Sequence, residues 1–132
     1  MRAAGLNANF LLNVGPMPSG KIQPEFVTRL QQVGAWLGKN GEAVYGTRGG
    51  PITPRPWGVT TSRDSKIYVH ILDWQDPAIL LPRLPQHIVA ARYLKDGSKA
   101  EYSELESGLL LKLPERVRDE YDTVVVLELA AG

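Results

Sequence analysis

The chain has 132 residues, 43% hydrophobic and 22% charged, one domain's worth of polypeptide with enough apolar side chains to bury a core, which excludes wholesale disorder. Fifteen Lys and Arg against 14 Asp and Glu leave a formal charge of +1, which excludes the strongly basic footprint of a dedicated nucleic-acid binder. No apolar run approaches the roughly 18 residues of a membrane-spanning helix, and without cysteine there is no disulfide, thiolate nucleophile or Cys-based zinc site.

Met1 to Asn9 lacks the basic head and apolar stretch of a signal peptide, which leaves two readings: a mature start here, or a chain cut from something larger. Phe10 to Val14 is an uncharged apolar run that predicts a strand buried on both faces, ended by Gly15-Pro16. Proline suits a first helical position, so a helix is predicted from Pro24, with Phe26, Leu30, Val33 and Leu37 as its apolar stripe and Asn40-Gly41 at its end. Strand, loop and helix make one β-loop-α unit. Gly49 to Pro56 is rich in Pro and Gly and predicts a linker.

Beyond the linker the apolar period falls from 3.6 to 2, and six strands are expected: Val59–Ser62, Ile67–Leu72, Ile88–Leu94, Ala100–Leu105, Leu109–Leu113 and Thr123–Leu129. Lys95-Asp96-Gly97-Ser98 reads as the turn of a hairpin between the third and fourth. The fold class is therefore mainly β, an antiparallel β-sandwich preceded by one β-loop-α unit. Charge follows the same division. Residues 1–50 hold five basic and two acidic side chains, net +3, whereas residues 86–132 hold six and nine, net −3.

Few residues stand out as reactive. His70 and His87 lie far apart in predicted strands, suggest no metal site, and are read as hydrogen-bonded strand histidines. A Ser-His-Asp set built on His70 and Asp73 lacks a G-x-S-x-G elbow and is rejected. Glu101, Glu104, Glu106, Glu115, Asp119, Glu120 and Asp122 read as a solvated acidic surface. Asp73 and Glu42 are more suggestive without being compelling. Trp57 and Trp74 flank the first two sandwich strands, where packing at a domain interface outranks sugar stacking.

The block Asn9-Phe10-Leu11-Leu12-Asn13-Val14-Gly15-Pro16, with Ser19-Gly20-Lys21-Ile22 and then Trp36 to Arg48 (WLGKNGEAVYGTR), resembles the α-L-fucosidase family of retaining glycoside hydrolases. Trp57 to Thr61 and Ile67 to Trp74 also resemble the start of that family's C-terminal sandwich. The resemblance implies that residues 1–48 are the last strand and helix of a catalytic (β/α)8-like barrel, 49–56 a linker and 57–132 the sandwich. A complete barrel needs about 200 residues or more, so the chain cannot hold one.

The family's nucleophile and acid/base lie upstream of the matched block, so no catalytic residue carries over to this chain. Asn13, Gly15 and Pro16 would sit beside the substrate pocket. There Asn13 either supports the loop or simply caps the turn after the strand. Met17-Pro18 departs from the family pattern.

The expected partners are a fucosylated glycan for the intact enzyme, an N-terminal barrel portion, and a second copy through residues 9–40. No cofactor, metal, nucleic acid or membrane is implied. The family resemblance further suggests a secreted, periplasmic or lysosomal-type setting. Two roles stay open for the chain itself, a structural sandwich or a carbohydrate-binding module.

Overall fold

The protein's structure, a computed structural model, describes residues 1–130, so the last two positions assigned to the sandwich lie outside the described residues. A short helix α1 (Arg2–Gly5) precedes α2 (Pro24–Asn40), which ends in a single 3-10 turn at Gly41–Ala43. The strands follow: β1 (Arg48–Gly49), β2 (Gly58–Arg63), β3 (Lys66–Ile71), β4 (Ala78–Leu81), β5 (Ile88–Tyr93), β6 (Tyr102–Leu105), β7 (Gly108–Lys112) and β8 (Thr123–Leu129). They form a five-stranded sheet, β1-β2-β3-β8-β5, and a three-stranded sheet, β4-β7-β6, with every neighbouring pair antiparallel.

The core lies between the sheets. Ile67, Val69, Ile71, Val125, Leu127 and Tyr93 from the larger sheet meet Ile79, Leu81, Leu109 and Leu111 from the smaller. The Tyr93 hydroxyl donates to the Lys112 carbonyl at 2.7 Å and ties the two sheets together. The outer face of the larger sheet is covered as well. Ala43 packs there on Tyr68, Val124 and Val126, and Gly5 of α1 lies against Val59. Coverage on both faces explains why Thr123-Val-Val-Val-Leu is unbroken rather than alternating, and all five residues are buried.

The sandwich is as expected, and all six expected strands form within a residue or two of their predicted limits. Two further strands, β1 of two residues and β4 of four, went unread in the sequence. The hairpin expectation needs correction. Residues 93–98 do turn, with Tyr93 N donating to Ser98 O and Ala100 N to Ala91 O. Beyond the turn, however, β5 stays in the larger sheet and β6 joins the smaller. The chain crosses from one layer to the other instead of completing a ladder.

Residues 49–56 do not run free. Gly49 pairs with Thr61, and Ile52 is buried in the main core with its carbonyl accepting from Thr60 Oγ1.

The N-terminal unit keeps its helix and loses its strand. α2 starts at Pro24, with Glu25 in the first turn and Lys39 in the last, as the helix dipole favours. Phe10 to Val14 forms no strand. A strand needs a neighbour for its N–H and C=O groups, and none of the described strands lies beside it. Phe10 and Leu11 are 77% and 91% exposed, and Phe26, Leu30 and Val33 of α2 are exposed too. No helix of the described residues is long and apolar enough to cross a membrane.

Candidate functional site

Asn13 and Gly15 lie exposed on the segment before α2. Pro16 makes an isolated antiparallel bridge with Ile22, and Met17 N donates to Lys21 O at 2.8 Å, closing a small loop. Gly20 turns that loop at a φ of +78°, a conformation glycine adopts without steric cost. Neither of two clefts on the described surface, one along α2 and one beside β5, includes any of these three positions.

Trp57 and Trp74 are half-buried and packed against the main core. The Arg118 guanidinium sits 5.7 Å from the centre of the Trp74 ring, so that face already has a cationic partner. The more enclosed cleft, about 310 Å³, lies elsewhere, between the β4–β5 connection and the β6–β7 turn. Its polar lining comes from Arg83, Gln86, His87, Glu104 and Glu106, and no aromatic platform for a sugar ring lines it. His87 lies just before β5 and is exposed, contrary to its expected place within a strand; the prolines at 82 and 85 keep that connection out of the ladder.

Two polar clusters escape a sequence reading. Glu42 follows α2 and lies over the sheet, where its Oε1 accepts from Lys66 Nζ (3.2 Å), Tyr68 OH (3.1 Å) and Arg92 Nη2 (3.3 Å). Burial pushes the Glu42 carboxyl up, but the Lys66 and Tyr68 hydrogen bonds and the Lys66 and Arg92 charges outweigh it and hold it below its ordinary value. A carboxylate engaged by three donors is a fastener, and it joins the end of α2 to β3 and β5. Asp73, the other suggestive carboxylate, is exposed and accepts from Gln75.

The second cluster is fully interior. The side chain of His70, on β3, lies between Thr61 of β2 (Nε2 to Oγ1, 3.0 Å) and Asp122 (Nδ1 to Oδ2, 2.8 Å). Thr61 Oγ1 also donates to the Ala43 carbonyl at 2.7 Å. Asp122 is 4% exposed, so it does not belong to the solvated acidic surface in which the sequence reading placed it. Its position directly before the apolar run of β8, and the His70 position among Val and Ile of β3, are the signals that could have joined them.

In outline the set is hydroxyl, imidazole and carboxylate. Chemically it cannot be a nucleophilic triad, because Thr61 and His70 are 1% exposed or less and the hydroxyl is committed to a backbone carbonyl. Among the described residues no group of three or more His, Asp or Glu side chains could hold a metal ion.

Against known proteins, the family profile described as alpha-L-fucosidase matches residues 1–42. Plasma alpha-L-fucosidase of Pongo abelii is 32% identical over 116 residues, 81% of this chain and 25% of that protein. Tissue alpha-L-fucosidase of Rattus norvegicus is 30% identical over 128 residues, 87% of this chain and 26% of that protein. Among solved structures, alpha-L-fucosidase isoenzyme 1 from Paenibacillus thiaminolyticus superposes with a TM-score of 0.86 at 32% identity, covering 98% of this chain and 32% of that one. An alpha-L-fucosidase from Bacteroides thetaiotaomicron, trapped as a covalent intermediate, has a TM-score of 0.87 at 19% identity, over 98% of this chain and 30% of that one, and shows the shared fold. The chain spans about a quarter of the length of the curated relatives it matches.

Proposed function

Because the chain belongs to the α-L-fucosidase family, as a counterpart of its C-terminal portion, we propose that it is the structural sandwich of an enzyme that hydrolyses α-L-fucosyl linkages and is inactive on its own. In this reading the substrate of the intact enzyme is a fucosylated glycan. The covalent intermediate trapped in the Bacteroides relative supports a double displacement with retention for the whole protein.

The observation that carries the reading is the exposed apolar surface of the N-terminal unit. Phe10 and Leu11 stand in solvent, and α2 has no buried residue along its length. A helix with an apolar stripe ordinarily buries that stripe. The face therefore belongs against a barrel portion of the polypeptide, with residues 10–14 pairing as its strand; without that partner it self-associates. Asn13, Gly15 and Pro16 would then border the mouth of the barrel, where active sites of such folds form.

Retaining hydrolysis needs two carboxyl groups about 5 Å apart across the sugar. Four carboxylates of this chain are engaged otherwise. Glu42 is fastened to the sheet, Asp122 is buried on His70, and Glu101 and Glu115 pair with Lys112 and Arg118. A carbohydrate-binding role has less support, since Trp57 and Trp74 pack on the core and the cleft lacks an aromatic floor.

A chromogenic α-L-fucoside assay on the purified 132-residue chain is expected to show no turnover above buffer. Turnover that survives rigorous purification and scales with chain concentration would overturn the proposal.

A further inference from the structure

Counting hydrogens along the interior chain Asp122–His70–Thr61–Ala43 fixes more than its geometry. The Ala43 carbonyl can only accept, so the single hydroxyl hydrogen of Thr61 lies on that 2.7 Å bond. Thr61 Oγ1 then accepts from His70, which places a hydrogen on Nε2. Nδ1 remains, 2.8 Å from Asp122 Oδ2. A neutral imidazole protonated at Nε2 is an acceptor at Nδ1, and an ionised carboxylate is an acceptor too. Two lone pairs would face each other at hydrogen-bond distance unless one more hydrogen sits between them.

We infer that His70 and Asp122 hold one trapped proton between them in the folded protein, and that this proton latches the turn after α2 onto the sheet. Whether it rides on nitrogen or oxygen, the pair is neutral overall, which suits an interior site. Asp122 Oδ1 is buried with no hydrogen-bond partner among the described residues, a position that penalises a full carboxylate charge. Burial pushes the Asp122 carboxyl above its ordinary value, while the His70 hydrogen bond pulls it the other way.

The surrounding charges do not replace the proton. The Met1 amino group, beside α1, favours the carboxylate, whereas Asp119 of the same loop opposes it. Glu42 of the turn after α2 is already occupied by Lys66, Tyr68 and Arg92.

Release of the proton to solvent reverses the chain. The imidazole must take its Nδ1–H form to donate to the carboxylate, and Nε2 becomes an acceptor. The Thr61 hydroxyl then turns from the Ala43 carbonyl to His70. Ala43 is 0% exposed, so its carbonyl is left buried without a donor and the turn after α2 loosens. The device couples a proton at Asp122 to the seating of the helix end across β3 and β2.

The linkage has a definite sign. In an unfolded chain above about pH 6.5, a free imidazole is neutral and a free carboxyl is ionised, so that pair holds no proton. Folding then takes up one proton, and the folding constant falls about tenfold per pH unit as pH rises. Below about pH 4 the unfolded pair holds two protons, one more than the folded pair, and stability falls in that direction as well.

The test is urea unfolding of the full chain between about pH 4.5 and 8.5, a window that spans both ordinary values, for the wild type and Asp122→Asn, together with ¹⁵N NMR of the His70 ring at neutral to mildly alkaline pH. The amide introduced by Asp122→Asn can donate to Nδ1 with no shared proton, so the substitution removes only the linkage. The expected results are a wild-type folding constant that falls about tenfold per pH unit above about pH 6.5 relative to the variant, and a protonated Nε2. Parallel pH profiles in the two proteins, or an unprotonated Nε2, would overturn the inference. Should Asp122→Asn fail to fold, the wild-type ring spectrum decides alone: Nε2 protonated sustains it, and Nε2 unprotonated sinks it.

Discussion

Glu42 concentrates three donors on one oxygen and so joins the end of α2 to two strands of the sheet. Its carboxyl is held below its ordinary value, so its contribution to stability is present above that value and is lost as pH falls through the folded one. Glu42→Gln keeps the shape and removes the charge. The pair partners are partly solvated, so the expected cost at neutral pH is about 0.5–1 kcal/mol. In paired urea titrations the gap should close below the ordinary carboxyl value of 4.5. A gap that stays constant to low pH would show that charge plays no part.

Neither this cluster nor the buried His70 set was legible as a site in the sequence, for one reason. Glu42 stands 24 to 50 positions from its three donors and His70 stands 52 from Asp122, and no local period relates a residue after a helix to one in the middle of a strand. Residue type singled out Glu42 as a carboxylate suited to chemistry, whereas its three donors make it a fastener. For Asp122 residue type pointed the wrong way, because an acidic neighbourhood in sequence masked a burial set by the sheet above it.

At the scale of elements, legibility follows locality. The helix start at Pro24 and the alternation of β3 and β7 were readable because propensity, period and capping act within a few residues. The turn at 95–98 was readable too, but the sheet to which each flanking strand belongs was not, since ladder choice depends on long-range neighbours. Phe10–Val14 failed in the opposite direction. Its composition suits a strand, and no described strand is there to pair with it.

The crossover between layers places weight on the contacts that close the sandwich, among them the hydrogen bond from Tyr93 of β5 to the Lys112 carbonyl of β7. Tyr93→Phe retains the buried ring and removes that bond, leaving the carbonyl short of a partner. A loss of about 1–3 kcal/mol is expected, with the m-value unchanged because the exposed area on unfolding is the same. An unaltered denaturation midpoint would mean that water satisfies the carbonyl and the bond is not a tie between layers.

At the scale of the molecule, the chain combines a sandwich apolar on the inside with an N-terminal unit apolar on the outside. Phe10, Leu11, Leu12, Phe26, Leu30 and Val33 all stand exposed, a density unusual for a surface meant to face water. Two forces then act on the isolated chain. Burial of apolar area returns roughly 25 cal/mol per Å², and the backbone of residues 10–14, in no strand among the described residues, offers open hydrogen-bonding groups to any similar neighbour. Both favour association of the purified chain, while the sandwich, whose core is complete, has no stake in it.

The two halves can therefore be separated by mutation. Replacing Phe10 and Leu11 by Ser is expected to shift sedimentation or light scattering from a concentration-dependent assembly toward monomer. The same double substitution should change the sandwich's unfolding free energy by less than about 0.5 kcal/mol, since both side chains are exposed. A wild-type chain that runs as a monodisperse monomer at every concentration would refute the outward-facing assignment of this surface. A double variant that unfolds the sandwich would show instead that the N-terminal unit and the sandwich share one cooperative core.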